Sequence, residues 1–144
     1  MAKILRIISW VLLTLLCAMT LLFSVGSAGV GYSNADDQFG DVTLTDLTDG
    51  DEQLKKIIHG RRITAASFAA AYATLLLLVV LIPYRRGEVW AWWAILIATL
   101  VLSVMIWLRV PTLGITLGAS TGYTQLVVVI VALLLDVKRL AASS

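Results

Sequence analysis

Four stretches of the chain are apolar from end to end, and charged residues are confined to the segments between and flanking them. The runs are Ile7–Val25, Ile63–Ile82, Val89–Leu108 and Leu113–Leu135, each 19 to 23 residues long with no Asp, Glu, Lys, Arg or His inside. At ~1.5 Å rise per residue, a helix of ~20 residues crosses a hydrocarbon core of ~30 Å. Lipid offers no partner to backbone N–H and C=O groups, so each run must satisfy its own, as a helix. The pattern predicts an all-α fold, an integral membrane four-helix bundle forming a single membrane domain over residues 1–144. Its expected spans are 7–25, 63–82, 89–108 and 113–135, with one outer loop over 26–60.

Composition agrees with that reading. Of 144 residues, 60% are hydrophobic and 14% charged, and the mean hydropathy is +0.94. Soluble domains carry roughly 45–50% apolar and about 25% charged residues. The first run has a rival interpretation: Lys3 and Arg6, an apolar stretch and then Gly26-Ser27-Ala28 resemble a secretory signal with a small-residue cleavage site. At 19 residues the stretch exceeds the usual 7–15 of a signal core, which favours a retained helix. Leu16 before Cys17 excludes a lipoprotein box.

Lys3 and Arg6 precede the first run, and no Lys or Arg follows it until Lys55. That asymmetry places the N-terminus in the cytoplasm. Four spans then return Lys138 and Arg139 to the same side, an N-in/C-in protein of the cell (inner) membrane. Counted over the whole chain the bias is slight. Six basic residues fall inside (Lys3, Arg6, Arg85, Arg86, Lys138, Arg139) and five outside (Lys55, Lys56, Arg61, Arg62, Arg109).

The outer loop begins with Gly26-Ser27-Ala28-Gly29-Val30-Gly31, expected to be flexible, and then carries Asp36, Asp37, Asp41, Asp46, Asp49, Asp51 and Glu52. Those acids do not match the alternating ligands and closing Glu of an EF-hand, so the loop is read as solvated. Its end is expected to form a short amphipathic helix over Asp51–His59, capped by Thr48 or Asp49 and hinged to the second span at Gly60. Leu54, Ile57 and Ile58 form its apolar face. His59 is read as an interfacial surface residue; a metal or proton-sensing role would lack a partner histidine.

Residue counts exclude several chemistries. One cysteine, Cys17, allows no internal disulfide, CxxC redox pair or cysteine zinc site, which removes membrane thiol oxidases and the vitamin K reductase type. One histidine allows no bis-histidine haem and no multi-histidine di-iron site. No metal or cofactor is expected. A net charge of +2 does not suggest nucleic acid. Proton-coupled transport usually needs an intramembrane acid, and the small multidrug exporters depend on a first-span glutamate that this chain lacks.

Two patterns bear on function. Gly114, Gly118 and Gly122 recur every four residues, beside Thr112, Thr116, Ser120 and Thr124, and the second span offers Ala65, Ala69 and Ala73 with Ala66, Ala70 and Thr74. Small residues let helix backbones approach closely in lipid, so these are helix-packing candidates, within the chain or against a partner. Arg85 and Arg86 followed by Trp90, Trp92 and Trp93 are headgroup-level candidates. They read as an interfacial anchor, with Tyr84, or as a site for an anionic lipid headgroup.

The string Tyr84-Arg85-Arg86-Gly87-Glu88-Val89-Trp90-Ala91-Trp92-Trp93 resembles a turn between spans two and three of small uncharacterised bacterial four-span membrane proteins. The resemblance covers this turn and the overall hydropathy layout; it implies the four-span architecture and no activity. The layout is also similar to claudin-type tetraspanning proteins, but the loop signature of that family is absent. The expected function is therefore a non-enzymatic membrane protein that packs as a homo-oligomer or as an accessory subunit of a membrane complex, with membrane lipids around it. The alternative is a carrier or binding protein for a hydrophobic small molecule, lipid or quinone.

Overall fold

The computed structural model describes residues 2–33, 36, 38–39, 42–114 and 119–138. Among these the chain is helical apart from one small ribbon. The elements are α1 (Ala2–Tyr32), β1 (Gln38–Phe39), β2 (Val42–Thr43), α2 (Leu44–Leu47), α3 (Glu52–Val79, continued by a π turn over Val80–Tyr84), α4 (Val89–Leu113) and α5 (Ala119–Leu135). Three of them, α1, α3 and α4, are long and apolar enough to cross a membrane, and α5 is a shorter apolar helix.

The chain divides into two units. Residues 19–74 form one of them, holding the distal part of α1, the ribbon, α2 and most of α3. Here the structure corrects the expected flexible loop start: α1 continues through Gly26–Gly31 to Tyr32. The reason is tertiary. Gly31 is buried and lies so close to α3 that a Cβ there would sit 2.7 Å from Ile63 Cγ1. One turn earlier, Ser27 Oγ accepts a hydrogen bond from Arg62 Nε at 3.2 Å. A neighbouring helix thus holds a glycine-rich segment helical, where propensity alone would cost up to about 1 kcal/mol per Gly.

The segment expected to form the outer loop also differs from expectation. Its short helix is α2, closed by a reciprocal capping box between Thr43 and Asp46. It follows an antiparallel ribbon in register Gln38↔Thr43 and Phe39↔Val42, and Asp36 Oδ1 accepts from the Thr45 amide at 2.9 Å. The expected amphipathic helix over Asp51–His59 exists only as the first turns of α3, which passes through Gly60 without a hinge. Asp51 caps it, accepting from the amides of Gln53 (2.8 Å) and Leu54 (3.1 Å) through Oδ1. Thr48 and Asp49 instead shape the preceding turn, where Asp49 has φ 48°.

Residues 1–18 and 75–144 form the other unit. Pro83 does not end the second run. A proline inside an α-helix lacks a donor and clashes with the carbonyl four residues earlier, and widening to π geometry relieves that clash. The chain stays helical to Arg86, turns at Gly87 (φ 96°) and restarts at Val89. The third run is likewise longer than expected: α4 carries Arg109 and Pro111 and ends at Gly114, whose amide reaches the Val110 carbonyl at φ 66°. The buried interior of this unit includes Leu13, Cys17, Leu76, Val80, Tyr84, Ile95, Thr99, Val129 and Leu133. In lipid, apolar helices gain little from leaving the solvent, so close packing and hydrogen bonds must hold such an interior together.

Candidate functional site

In the unit of residues 1–18 and 75–144, a polar apposition joins the first turns of α1 to the end of the π segment. Ser9 is fully buried on α1, and its hydroxyl lies 2.6 Å from the equally buried Tyr84 hydroxyl. One turn toward the N-terminus, Arg6 Nη2 donates to the Arg85 carbonyl at 2.9 Å. Gly87 makes this approach possible, because a Cβ there would meet Arg6 Nη2 at 2.8 Å. The Arg85 guanidinium lies over the Trp10 ring, 5.2 Å from its centroid, at cation–π distance. A cavity of about 460 Å³ results, lined by Lys3, Arg6, Ile7, Trp10, Tyr84 and Arg85.

The residues expected at headgroup level separate. Arg85 joins the cavity and Arg86 is exposed beside it. Trp90 and Trp93 are exposed, and the Trp90 indole donates to Glu88. Trp92 turns inward, 7% exposed, and donates its indole N–H to the Leu133 carbonyl at 3.1 Å, with its ring edge-on to Trp93. Tyr84, expected among the interfacial anchors, is buried against α1.

The glycine row also separates. Gly114 is the left-handed C-cap of α4 rather than a member of α5, and Gly118, Thr116, Asp37, Asp41 and Arg139 lie outside the described residues. Gly122 is buried, and a Cβ there would lie 3.1 Å from both Cδ1 and Cγ2 of Ile106, so it packs on α4. Beside it Trp107 and Tyr123 stack with centroids 5.4 Å apart. They wall an apolar groove of about 710 Å³ with Val104, Leu108, Val110, Pro111 and Ser120. On α3, Ala73 and Ala66 are buried, Ala69 is half-buried and Ala65 is exposed.

His59 departs from the surface reading: it is 5% exposed, and its Nδ1 has no hydrogen-bond partner among the described residues. A small cavity of about 120 Å³ beside it is lined by Glu52, Lys55 and Lys56. Among the described residues no group of three or more His, Cys, Asp or Glu is placed to hold a metal ion. Asp36, Asp46 and Asp51 make local hydrogen bonds. Asp46 is held below the ordinary aspartate range by the Thr43 hydroxyl and then by the Thr43 amide.

Lys3, Arg6, Ser9 and Trp10 are the site residues that sequence reasoning missed. Their signal was present: Lys3, Arg6 and Trp10 fall at i, i+3 and i+7, one face of a helix. Which surface that face meets was not in the pattern. Comparison with known proteins finds no similarity: no family model, no curated protein and no solved structure matches the chain.

Proposed function

We propose that the chain is a non-enzymatic multi-pass protein of the cell (inner) membrane that associates with a second copy or with a larger membrane complex. The observation that carries this reading is the outward face of α3. Thr64, Ser67, Ala71 and Thr74 are all exposed and fall at i, i+3, i+7 and i+10. Thr64, Ser67 and Thr74 donate back to the carbonyls of Gly60, Ile63 and Ala70 at 2.8 to 2.9 Å. This leaves a small, internally satisfied strip, bordered by the exposed Phe68 and Leu75, that another helix can pack against. The absence of charge from the four runs and the single Cys and His support the non-enzymatic part.

In this reading α5 is the fourth span and both termini are cytoplasmic. Its support is the antiparallel seam with α4, where Trp92 meets Leu133 at one end and Ile106 meets Gly122 toward the other. A helix paired along α4 in this way accompanies it through the bilayer, and the basic N-terminus sets the orientation.

A second reading, a binding protein for a lipid or quinone, is favoured by the apolar groove walled by Trp107 and Tyr123. Native mass analysis after mild extraction tests the two. A dimer or a stoichiometric protein complex that Ala71→Leu splits supports association, because Ala71 is exposed and the larger side chain leaves the fold intact. A monomer that retains a hydrophobic molecule, lost in Trp107→Ala, overturns association in favour of the second reading.

A further inference from the structure

The cavity between the start of α1 and the turn after the π segment has an unusual charge balance. Among the described residues that line it, Lys3, Arg6 and Arg85 carry charge and no carboxylate is found. Both guanidiniums are fixed by uncharged partners, Arg6 by the Arg85 carbonyl and Arg85 by the Trp10 ring. The ion pair found among the described residues is elsewhere, between Lys55 and Glu52. Like charges gathered without counter-ions repel one another, and the N-terminus of α1, which has no acidic residue in its first turn, adds further positive potential. The arrangement becomes favourable when an anion enters.

Chemistry narrows the anion. Two guanidiniums present several N–H donors in planar forks, which suit the oxygens of a phosphate, and the ammonium adds a flexible third contact. The remaining walls, Ile7, Trp10 and Tyr84, are apolar or aromatic. A site with cations on one side and an apolar wall on the other fits a phosphate that carries a hydrocarbon chain. The cavity also adjoins the first residues of an apolar run, at the level where headgroups lie. We infer that Lys3, Arg6 and Arg85 bind a phosphate group, supplied by an anionic phospholipid headgroup or by a soluble phosphate. This inference goes beyond the association reading and does not depend on it.

The test compares the purified full chain in nanodiscs of phosphatidylglycerol, in nanodiscs of phosphatidylcholine, and in phosphatidylcholine with millimolar inorganic phosphate. The readouts are thermal stability and lipid retained in native mass spectra. Phosphatidylglycerol should stabilise the chain and be retained. The double variant Arg6→Gln/Arg85→Gln should bind it about 25-fold more weakly, about fivefold for each cation removed. Arg61→Gln/Arg109→Gln, an equal charge change at exposed positions outside the cavity, should bind as wild type does. Lys3→Gln serves if the double variant does not fold, since Lys3 is exposed, and it should weaken binding about fivefold. Equal stabilisation by inorganic phosphate supports the site and assigns it a soluble source. Equal behaviour in both lipids without added phosphate effect, or equal losses in the two double variants, would overturn the inference.

Discussion

Trp92 on α4 hands its indole N–H to the main-chain carbonyl of Leu133 on α5, 3.1 Å away, and both residues are buried. Leu133 lies in the last turn of α5, where carbonyls have no partner within the helix. The bond therefore ties a helix end to its neighbour. Trp92→Phe should remove the donor while the Asp136 amide, 3.2 Å from the same oxygen, remains. A loss of about 1 kcal/mol is expected, read as a lower melting temperature in detergent. Trp90→Phe, at an exposed ring, should change stability by less than about 0.5 kcal/mol. Equal effects of the two would show that the seam does not depend on this contact.

Gly122 and Gly26 are helical glycines in opposite surroundings. Gly122→Leu drives a side chain into Ile106 and should cost about 1–3 kcal/mol. Adding Ile106→Ala should restore part of that loss, since it vacates the same space. Gly26 lies within α1, and a Cβ added there would have no neighbour within 4 Å, so Gly26→Ala should stabilise by about 0.5–1 kcal/mol. Thermal unfolding of these variants in one detergent checks the ordering.

Gly87 combines a positive φ of 96° with the close approach of Arg6. Gly87→Ala must strain the backbone and displace the guanidinium, a loss of about 1–3 kcal/mol. Gly50→Ala, at φ 75° with nothing within 4 Å, carries the backbone strain alone and should lose less. A larger loss at Gly50 would show that Arg6 adds nothing to the constraint at Gly87.

Orientation is testable on intact cells in a Cys17→Ser background. Thr45→Cys and Arg86→Cys place thiols at exposed positions, one on α2 and one at the helix end before Gly87. An impermeant maleimide should label Thr45→Cys and leave Arg86→Cys unmodified until the membrane is opened. The reverse pattern would invert the proposed topology.

Asp46 gives the capping box of α2 a defined acid sensitivity. Its carboxyl is held below the ordinary value of about 3.9 because the charged form accepts from the Thr43 hydroxyl and amide. A depressed folded value means the capping contribution is complete above the ordinary value and is lost as pH falls through the lower one. The protection of the Thr43 and Asp46 amides, measured against the intrinsic exchange rate at each pH, should therefore fall on acidification, and Asp46→Asn should remove that fall. Protection that falls equally in the variant would assign the effect to another group.

The elements legible in the residue pattern are those whose cause is local to each run. Apolar stretches with no charge must be helical in lipid, because every backbone group has to be satisfied within the segment, and α1, α3 and α4 follow the first three runs. Asp51 as a capping residue also needed only its neighbours, although the pattern pointed to Thr48 or Asp49. Lys3, Arg6 and Trp10 could be placed on one helix face from spacing alone.

Where those helices end and what their faces meet depends on contacts made in the folded chain. Gly26–Gly31 stays helical because Gly31 lies against Ile63, a contact 32 positions away along the chain. Trp92 and Tyr84 turn inward because Leu133 and Ser9 offer partners, whereas their amphipathic character suited the interface equally well. Gly114 leaves the glycine row because α4 ends on it in a left-handed conformation. Spacing along a helix records which residues share a face. It carries no record of the opposite surface, which is set by distant residues brought close only in the folded chain.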